Sequence, residues 1–219
     1  MQVSRIRALR GPNLWSRHTA IEAIISCSPE DCGLSAQHPV EQQLRRIFPE
    51  VGPFDGQRPG EAASLAHALE KVTLSLQAHA GCPVSFSRTT PTEEPGVFQV
   101  VVQYTEEAVG RLALNLAEQL CQAAKAGAGF DLEGAIAQLH ELDEDVRLGP
   151  STGAIVDAAV ARGIPIRRLT DGSLVQFGWG SQQRRIQAAE VDSTSAIAES
   201  IAQDKDLTKK LLHAAGVPV

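Results

Sequence analysis

Ser151 and Thr152 follow Leu148-Gly149-Pro150 and precede a helical run through Ile155, Ala158 and Ala159 to Arg162, with Gly163 as its stop. A helix start with free N–H groups and two hydroxyls can receive an anion, a carboxylate in particular. The local reading is that Ser151 caps its own helix. His67 and Glu70 stand three residues apart on a helix, which the spacing makes a solvated pair away from the buried stripe. His79, further along the same helix, falls on a different face from Glu70. Arg88 ends an expected strand, placed to pair with Glu93 or Glu94. Trp15 is a packing anchor, or alternatively a platform on which arginine side chains of a ligand could stack. Gly178-x-Gly180 is no dinucleotide fingerprint, because Gln183 holds the third glycine position and no strand, loop and helix surround it in order.

The elements that must position these residues can be read from periodicity. Val3 to Leu9 and Ala20 to Ser26 have strand character and flank Arg10-Gly11-Pro12-Asn13-Leu14-Trp15, predicting an antiparallel pair with an ordered connection. Ser28 to Pro39 reads as loop, Val40, Leu44 and Ile47 as a short helix, and Val51 to Gly60 as a mobile loop rich in glycine and proline. Glu61 to Ala80 is the first long helix, with Leu65, Leu69, Val72 and Leu76 as its buried stripe.

Val84 to Arg88 and Val97 to Tyr104 read as strands joined by Thr89 to Gly96. Two helices follow: Glu106 to Lys125 with Leu112, Leu116, Leu120 and Ala123 inward, and a second capped by Asp131 with Leu132, Ile136, Leu139, Leu142 and Val146 inward. Ile164 to Leu169, Ser173 to Phe177 and Arg184 to Ala188 are further strands, and Asp204 to Ala215 a last helix with Leu207, Leu211 and Leu212 apolar. The order predicts an α+β fold, an antiparallel sheet with helices on one face, and a boundary between Val146 and about Gly163.

Composition bounds the function. With 26 acidic against 20 basic residues the net charge is −6, which argues against a general nucleic-acid role. No apolar run approaches the ~20 residues needed to cross a bilayer, and no signal-peptide pattern opens the chain, so no membrane is expected and the location expected is cytoplasmic. Cys27, Cys32, Cys82 and Cys121 form no C-x-x-C pair; reduced thiols are expected rather than a disulfide frame or zinc site. The pairs Arg45-Arg46, Arg167-Arg168 and Arg184-Arg185 read as solvated surface.

Several longer motifs carry a resemblance: LRGPNLWS near the start, FSRTTPTEEPGVFQVVVQY at Phe86 to Tyr104, LGPSTGAIV, RGIP, SLVQFGWGSQQRRIQA, and TSAIAESIAQDKDLTKKLLHAAGVPV. In this order they resemble the cyanophycin synthetase family, where its N-terminal domain passes into its ATP-grasp domain. That family makes a polymer with an aspartate backbone and arginines attached to the side-chain carboxylates, using ATP to activate carboxylates as acyl phosphates. The resemblance implies an N-terminal polymer-binding domain over residues 1–160 and the start of an ATP-grasp ligase domain over 161–219, truncated after Asp204-Lys205, Thr208-Lys209 and Ala215 to Val219. It implies ATP and magnesium for the full-length enzyme but no cofactor held by this part. It also implies three partners: the cyanophycin polymer, the ligase domains of the same chain, and further copies in a full-length homo-oligomer.

Three site expectations come with the resemblance. Ser151, in the LGPST motif, corresponds to a serine that contacts the C-terminal carboxylate of the polymer, with Thr152 beside it. Arg88 lies near the N-domain pocket, where its guanidinium could form a bidentate contact to a carboxylate. In relatives the first long helix can carry an H-x-x-E-H run, which resembles an inverted zincin motif and implies metal-assisted cleavage of polymer into primers. Here it reads His67-Ala68-Leu69-Glu70-Lys71, and a protonated lysine neither ligates nor tolerates a divalent cation beside it. The expectation is a vestigial hydrolase position with no metal and no catalytic residue, in a domain that holds the growing polymer. The alternatives are a primer-generating hydrolase with ligands from elsewhere, such as His38 or His79, and a docking or oligomerisation unit.

Overall fold

A computed structural model describes residues 1–52, 54, 62–188 and 190–219. It divides into two compact units, Met1–Arg147 and Leu148–Val219. The architecture is α+β with antiparallel sheets.

The first unit is built on a four-stranded sheet in the order β1-β2-β6-β5, formed by β1 (Gln2–Leu9), β2 (Ala20–Ser26), β5 (Ser87–Pro91) and β6 (Val97–Gln103). All three pairings are antiparallel. Ile21, Ala23 and Ile25 of β2 lie opposite Val102, Val100 and Phe98 of β6 and face the core. The alternate residues face the other way, as the two-residue strand period requires. The expected first pair of strands is thus present. The second is shifted: β5 begins at Ser87 and runs through Thr89 into Pro91, so Arg88 sits inside the strand instead of ending it. The turn is confined to Thr92 to Gly96, where Gly96 (φ +77°) lets Cys27 N–H donate to its carbonyl at 2.8 Å.

Helices pack on one face of this sheet. α1 (Pro39–Ile47) is capped by the His38 ring, which accepts from Val40 N–H. The segment expected as plain loop before it holds a 3-10 turn at Pro29–Asp31 and a short strand β3 (Cys32–Leu34), paired with β4 (Ala63–Ser64). The first long helix begins later than expected, as α2 (Leu65–His79), because Ala63 and Ser64 are in that strand. The greater part of the loop expected over Val51 to Gly60, together with Glu61, lies outside the described residues.

α2 is the pivot of the core. Leu65, Leu69, Val72 and Leu76 are fully buried as expected, each stabilising the fold by about 1.5–3 kcal/mol. It touches β5 and β6 on one side and α3 (Glu107–Lys125) and α4 (Leu132–Val146) on the other. In α3 Leu116 and Leu120 are buried as expected. The stripe runs through Val109, Ala113, Ala117 and Ala124, however, leaving Leu112 and Ala123 half-buried. Gly110 explains the shift: a Cβ there would meet Tyr104 Cβ at 2.7 Å, so the helix start presses its backbone on the sheet. α4 starts at Asp131, whose carboxylate accepts from Gly134 N–H, and packs Leu139 fully with Leu132, Ile136, Leu142 and Val146 at its margins.

One polar hub joins the 3-10 turn to α3. The Asp31 carboxylate, wholly buried, accepts from Lys125 Nζ and from the terminal ammonium of Met1, both at 2.6 Å, and from Ser28. Burial alone would push this carboxyl up, but those donors outweigh it and hold it well below the usual carboxylate range.

In the second unit, α5 (Pro150–Ala161) is followed by a four-stranded antiparallel sheet, β10-β9-β8-β7, built from β7 (Ile166–Arg168), β8 (Leu174–Phe177), β9 (Arg184–Gln187) and β10 (Glu190–Val191). Three of these strands are the expected ones. Val175 and Ile186 pack with Val156 of α5, joined by Leu148, Ile166 and Phe177. α6 (Ala196–Gln203) and α7 (Lys205–Ala214) follow, the latter capped by Asp204, with Leu207, Leu211 and Leu212 exposed.

Candidate functional site

The sheet face turned away from the helices in the first unit carries the densest unexplained chemistry. One register row across four strands reads Arg7, Glu22, Val101 and Arg88. Glu22 stands in the otherwise apolar run Ala20 to Ile25 and is only 3% exposed. Its carboxylate accepts from Arg7 Nε and from Gln99 Nε2, which balances the charge that burial would otherwise make costly. The Arg7 guanidinium remains half in solvent.

At the other end of the row Arg88 is exposed, and its guanidinium carbon lies 5.9 Å from the centroid of the Trp15 ring. This is within cation–π distance, and a guanidinium held over a ring in this way keeps edge N–H donors that a carboxylate can match. Among the described residues Arg88 forms no ion pair, so the expected pairing with Glu93 or Glu94 is replaced by this stack. Trp15 can serve because its connection is ordered: Asn13 Oδ1 accepts from Trp15 N–H and Ser16 N–H, and Asn13 Nδ2 donates to the carbonyls of Gly11 and His18. Leu14, 91% exposed, projects beside it. Phe86 and His18 form a second stacked pair, their centroids 6.4 Å apart. Trp15, expected as a packing anchor with a platform for a ligand's arginine as the alternative, thus holds an arginine of the chain itself.

His67, Glu70 and Lys71 correct the sequence expectation. His67 is 1% and Glu70 5% exposed, and Lys71 is half-buried; none belongs to a solvated face. The reason is that α2 is enclosed by sheet on one side and helices on the other, so residues off the leucine stripe are buried as well. His67 Nδ1 accepts from Ser64 N–H at 3.2 Å and lies 3.0 Å from Ser64 Oγ, while the ring meets Phe98 edge-on. Glu70 accepts a 2.7 Å hydrogen bond from Ser87 Oγ. Among the described residues no three His, Cys, Asp or Glu side chains gather closely enough to hold a metal ion. His79 is elsewhere, 2.6 Å from Glu50 and edge-on to Phe48.

Ser151 and Thr152 also sit differently from expectation. Gly149 is the N-cap of α5 and Pro150 its first residue, whose fixed φ begins the helix one turn position early. Ser151 is therefore inside the first turn, exposed, and Thr152 is buried with its hydroxyl donating to the Ala188 carbonyl at 3.4 Å. The anion-receptive helix start has one exposed hydroxyl, not two.

Arg7, Glu22 and Gln99 were not singled out from sequence. The signal was one acidic residue in a central apolar strand. All four cysteines are free thiols. Burial pushes Cys27 and Cys82 up to about 11 and Cys121 to about 12, so none is poised as a nucleophile or ligand. No described helix is long and apolar enough to cross a membrane.

Comparison with known proteins bears out the resemblance. Residues 50–125 match the cyanophycin synthase-like N-terminal domain. The whole chain aligns with the cyanophycin synthetases of Trichormus variabilis and of a Nostoc species at 36% identity over 236 positions, and with that of a Synechocystis species at 32%. The chain spans about a quarter of the length of these relatives, 26% for the first two.

Proposed function

We propose that this chain is the N-terminal, polymer-holding part of a cyanophycin synthetase, with its second unit opening the ATP-grasp ligase domain. The observation that carries the reading is the exposed Arg88 guanidinium held on Trp15, on the sheet face turned away from the helices, together with the similarity along the whole chain. A stacked guanidinium has already lost the freedom that binding would otherwise cost, and its edge matches a carboxylate. In cyanophycin the free carboxylates belong to the attached arginines. Contacts of this kind on a tethered domain need not be strong, because they raise the local concentration of the chain end at the ligase sites. Ser151, in the exposed first turn of α5, is the residue proposed to meet the terminal carboxylate of the polymer, with Thr152 supporting the turn from below. The ligation itself, with ATP and magnesium, belongs to the full-length cytoplasmic enzyme and its remaining domains.

The test is incubation of the chain with purified insoluble cyanophycin, with and without chelator, scoring protein in the pellet and peptide in solution. Retention in the pellet without release supports holding. Chelator-sensitive release would replace it with a primer-generating hydrolase, and neither retention nor release would leave a docking or oligomerisation unit.

A further inference from the structure

The second sheet also carries a polar register row on the face turned away from its apolar cluster. Arg167 of β7, Gln176 of β8 and Arg185 of β9 stand opposite one another in one register row. They face away from the cluster of Val156, Val175 and Ile186, because their neighbours Ile166, Val175, Phe177 and Ile186 face into it. Asp192 N–H donates to the Arg185 carbonyl at 3.0 Å, which extends the ladder and sets Asp192 beside Arg185. The row therefore runs guanidinium, amide, guanidinium, carboxylate.

Arg167, Arg185 and Asp192 are exposed, and among the described residues none of them takes part in an ion pair. Gln176 is 8% exposed and donates to the Gly178 carbonyl, so it forms a fixed floor. The strands bearing the two arginines are separated by one strand, so their backbones lie about 10 Å apart. Side chains of that length can converge over Gln176 on a single carboxylate. In a chain of net charge −6, two such guanidinium groups over a polar floor mark a place for an anion, and the adjacent Asp192 marks a place for a cation.

We propose that this face binds a side chain that carries a carboxylate and a guanidinium together, Arg167 and Arg185 taking the carboxylate and Asp192 the guanidinium. The chemical class is an arginine joined through its α-amino group, with its own carboxylate free. This rests on the polymer-holding reading and adds a second contact, in the second unit, for the same ligand.

The test uses two soluble probes: a short aspartate backbone with arginines on its side-chain carboxylates, and the same compound with every arginine carboxylate converted to the primary amide. Dissociation constants are measured by titration calorimetry on the whole chain. Arg167→Ala and Arg185→Ala are each expected to weaken the free-carboxylate probe about fivefold, the scale of an exposed charge-assisted contact. The amidated probe should bind the unaltered chain more weakly and lose nothing further in either variant. Asp192→Asn should weaken both probes alike. Arg46→Ala, in the first unit, should change neither, and unchanged melting temperatures exclude unfolding as the cause. Binding by the unaltered chain that these three variants leave intact would overturn the site while keeping the polymer-holding reading. No binding of either probe by the unaltered chain would overturn both.

Discussion

Arg88 and Trp15 meet across two separate segments of the first unit, the guanidinium 5.9 Å from the ring centroid. The contact holds a flexible cation over a ring, and the guanidinium fork and its platform can be removed separately. Arg88→Lys keeps the charge and removes the fork; Trp15→Leu keeps the bulk and removes the platform. Both should lower the fraction of protein pelleted with cyanophycin, with Trp15→Leu costing about 1 kcal/mol, roughly a fivefold loss in affinity. Equal retention by both variants would mean that the stack is only structural.

His67 and Glu70 should behave as core residues. His67→Ala removes a buried ring that accepts from the Ser64 amide and packs on Phe98, and is expected to cost about 2 kcal/mol in urea unfolding. A solvated histidine at the same position would change stability by no more than about 0.5 kcal/mol.

Asp31 links stability to acid. Its carboxyl is held down in the folded protein, so its contribution is fully present above the unfolded value, about 3.9, and is lost as pH falls through the lower folded value. Acid titration of the unaltered chain should show stability declining below about pH 4. Asp31→Asn leaves the Lys125 ammonium without its carboxylate and should cost about 3 kcal/mol at pH 7. The variant's own loss of stability below pH 4 should be shallower.

Gly110 tests the close approach of α3 to the sheet. In Gly110→Ala the new methyl meets Tyr104 Cβ at 2.7 Å and Ile21 Cγ1 at 3.1 Å, neither of which is a flexible chain end. The gain in helix propensity, about 1 kcal/mol, is expected to be outweighed by displacement, for a net loss of about 1–2 kcal/mol. A raised melting temperature would show that α3 can lift away without cost.

Local signals served well where each element declares itself. β1 and β2 were legible from apolar runs flanking a turn-rich connection, and the strands of the second sheet from glycine turns between short runs. Helix α4 was legible from Asp131 and its periodic leucines. What failed depended on neighbours distant in sequence. The leucine stripe of α2 marks one buried face, but nothing along that helix reveals that β5, β6, α3 and α4 enclose the others, which is why His67 and Glu70 were misplaced. At α5 two hydroxyls drew the cap to Ser151 and Thr152, whereas Pro150 had already fixed the helix start. The contact of Arg88 with Trp15 joins a strand to a distant connection, and those of Glu22 with Arg7 and Gln99 join strands whose register no local pattern specifies.

The strand order β1-β2-β6-β5 places the β1–β2 hairpin at the edge and middle of the sheet, while the inner partner of β2 comes only after α2. During translation the β1–β2 hairpin therefore leaves the ribosome with one long hydrogen-bonding edge bare, and Ile21, Ile24 and Ile25 unprotected, until Val97 to Gln103 arrives. Closing that gap is a non-local event and should set the folding rate of the whole unit. Nascent chains halted before β6 are the ones expected to recruit chaperones or pair with each other, which makes codon speed between the two strands a determinant of yield.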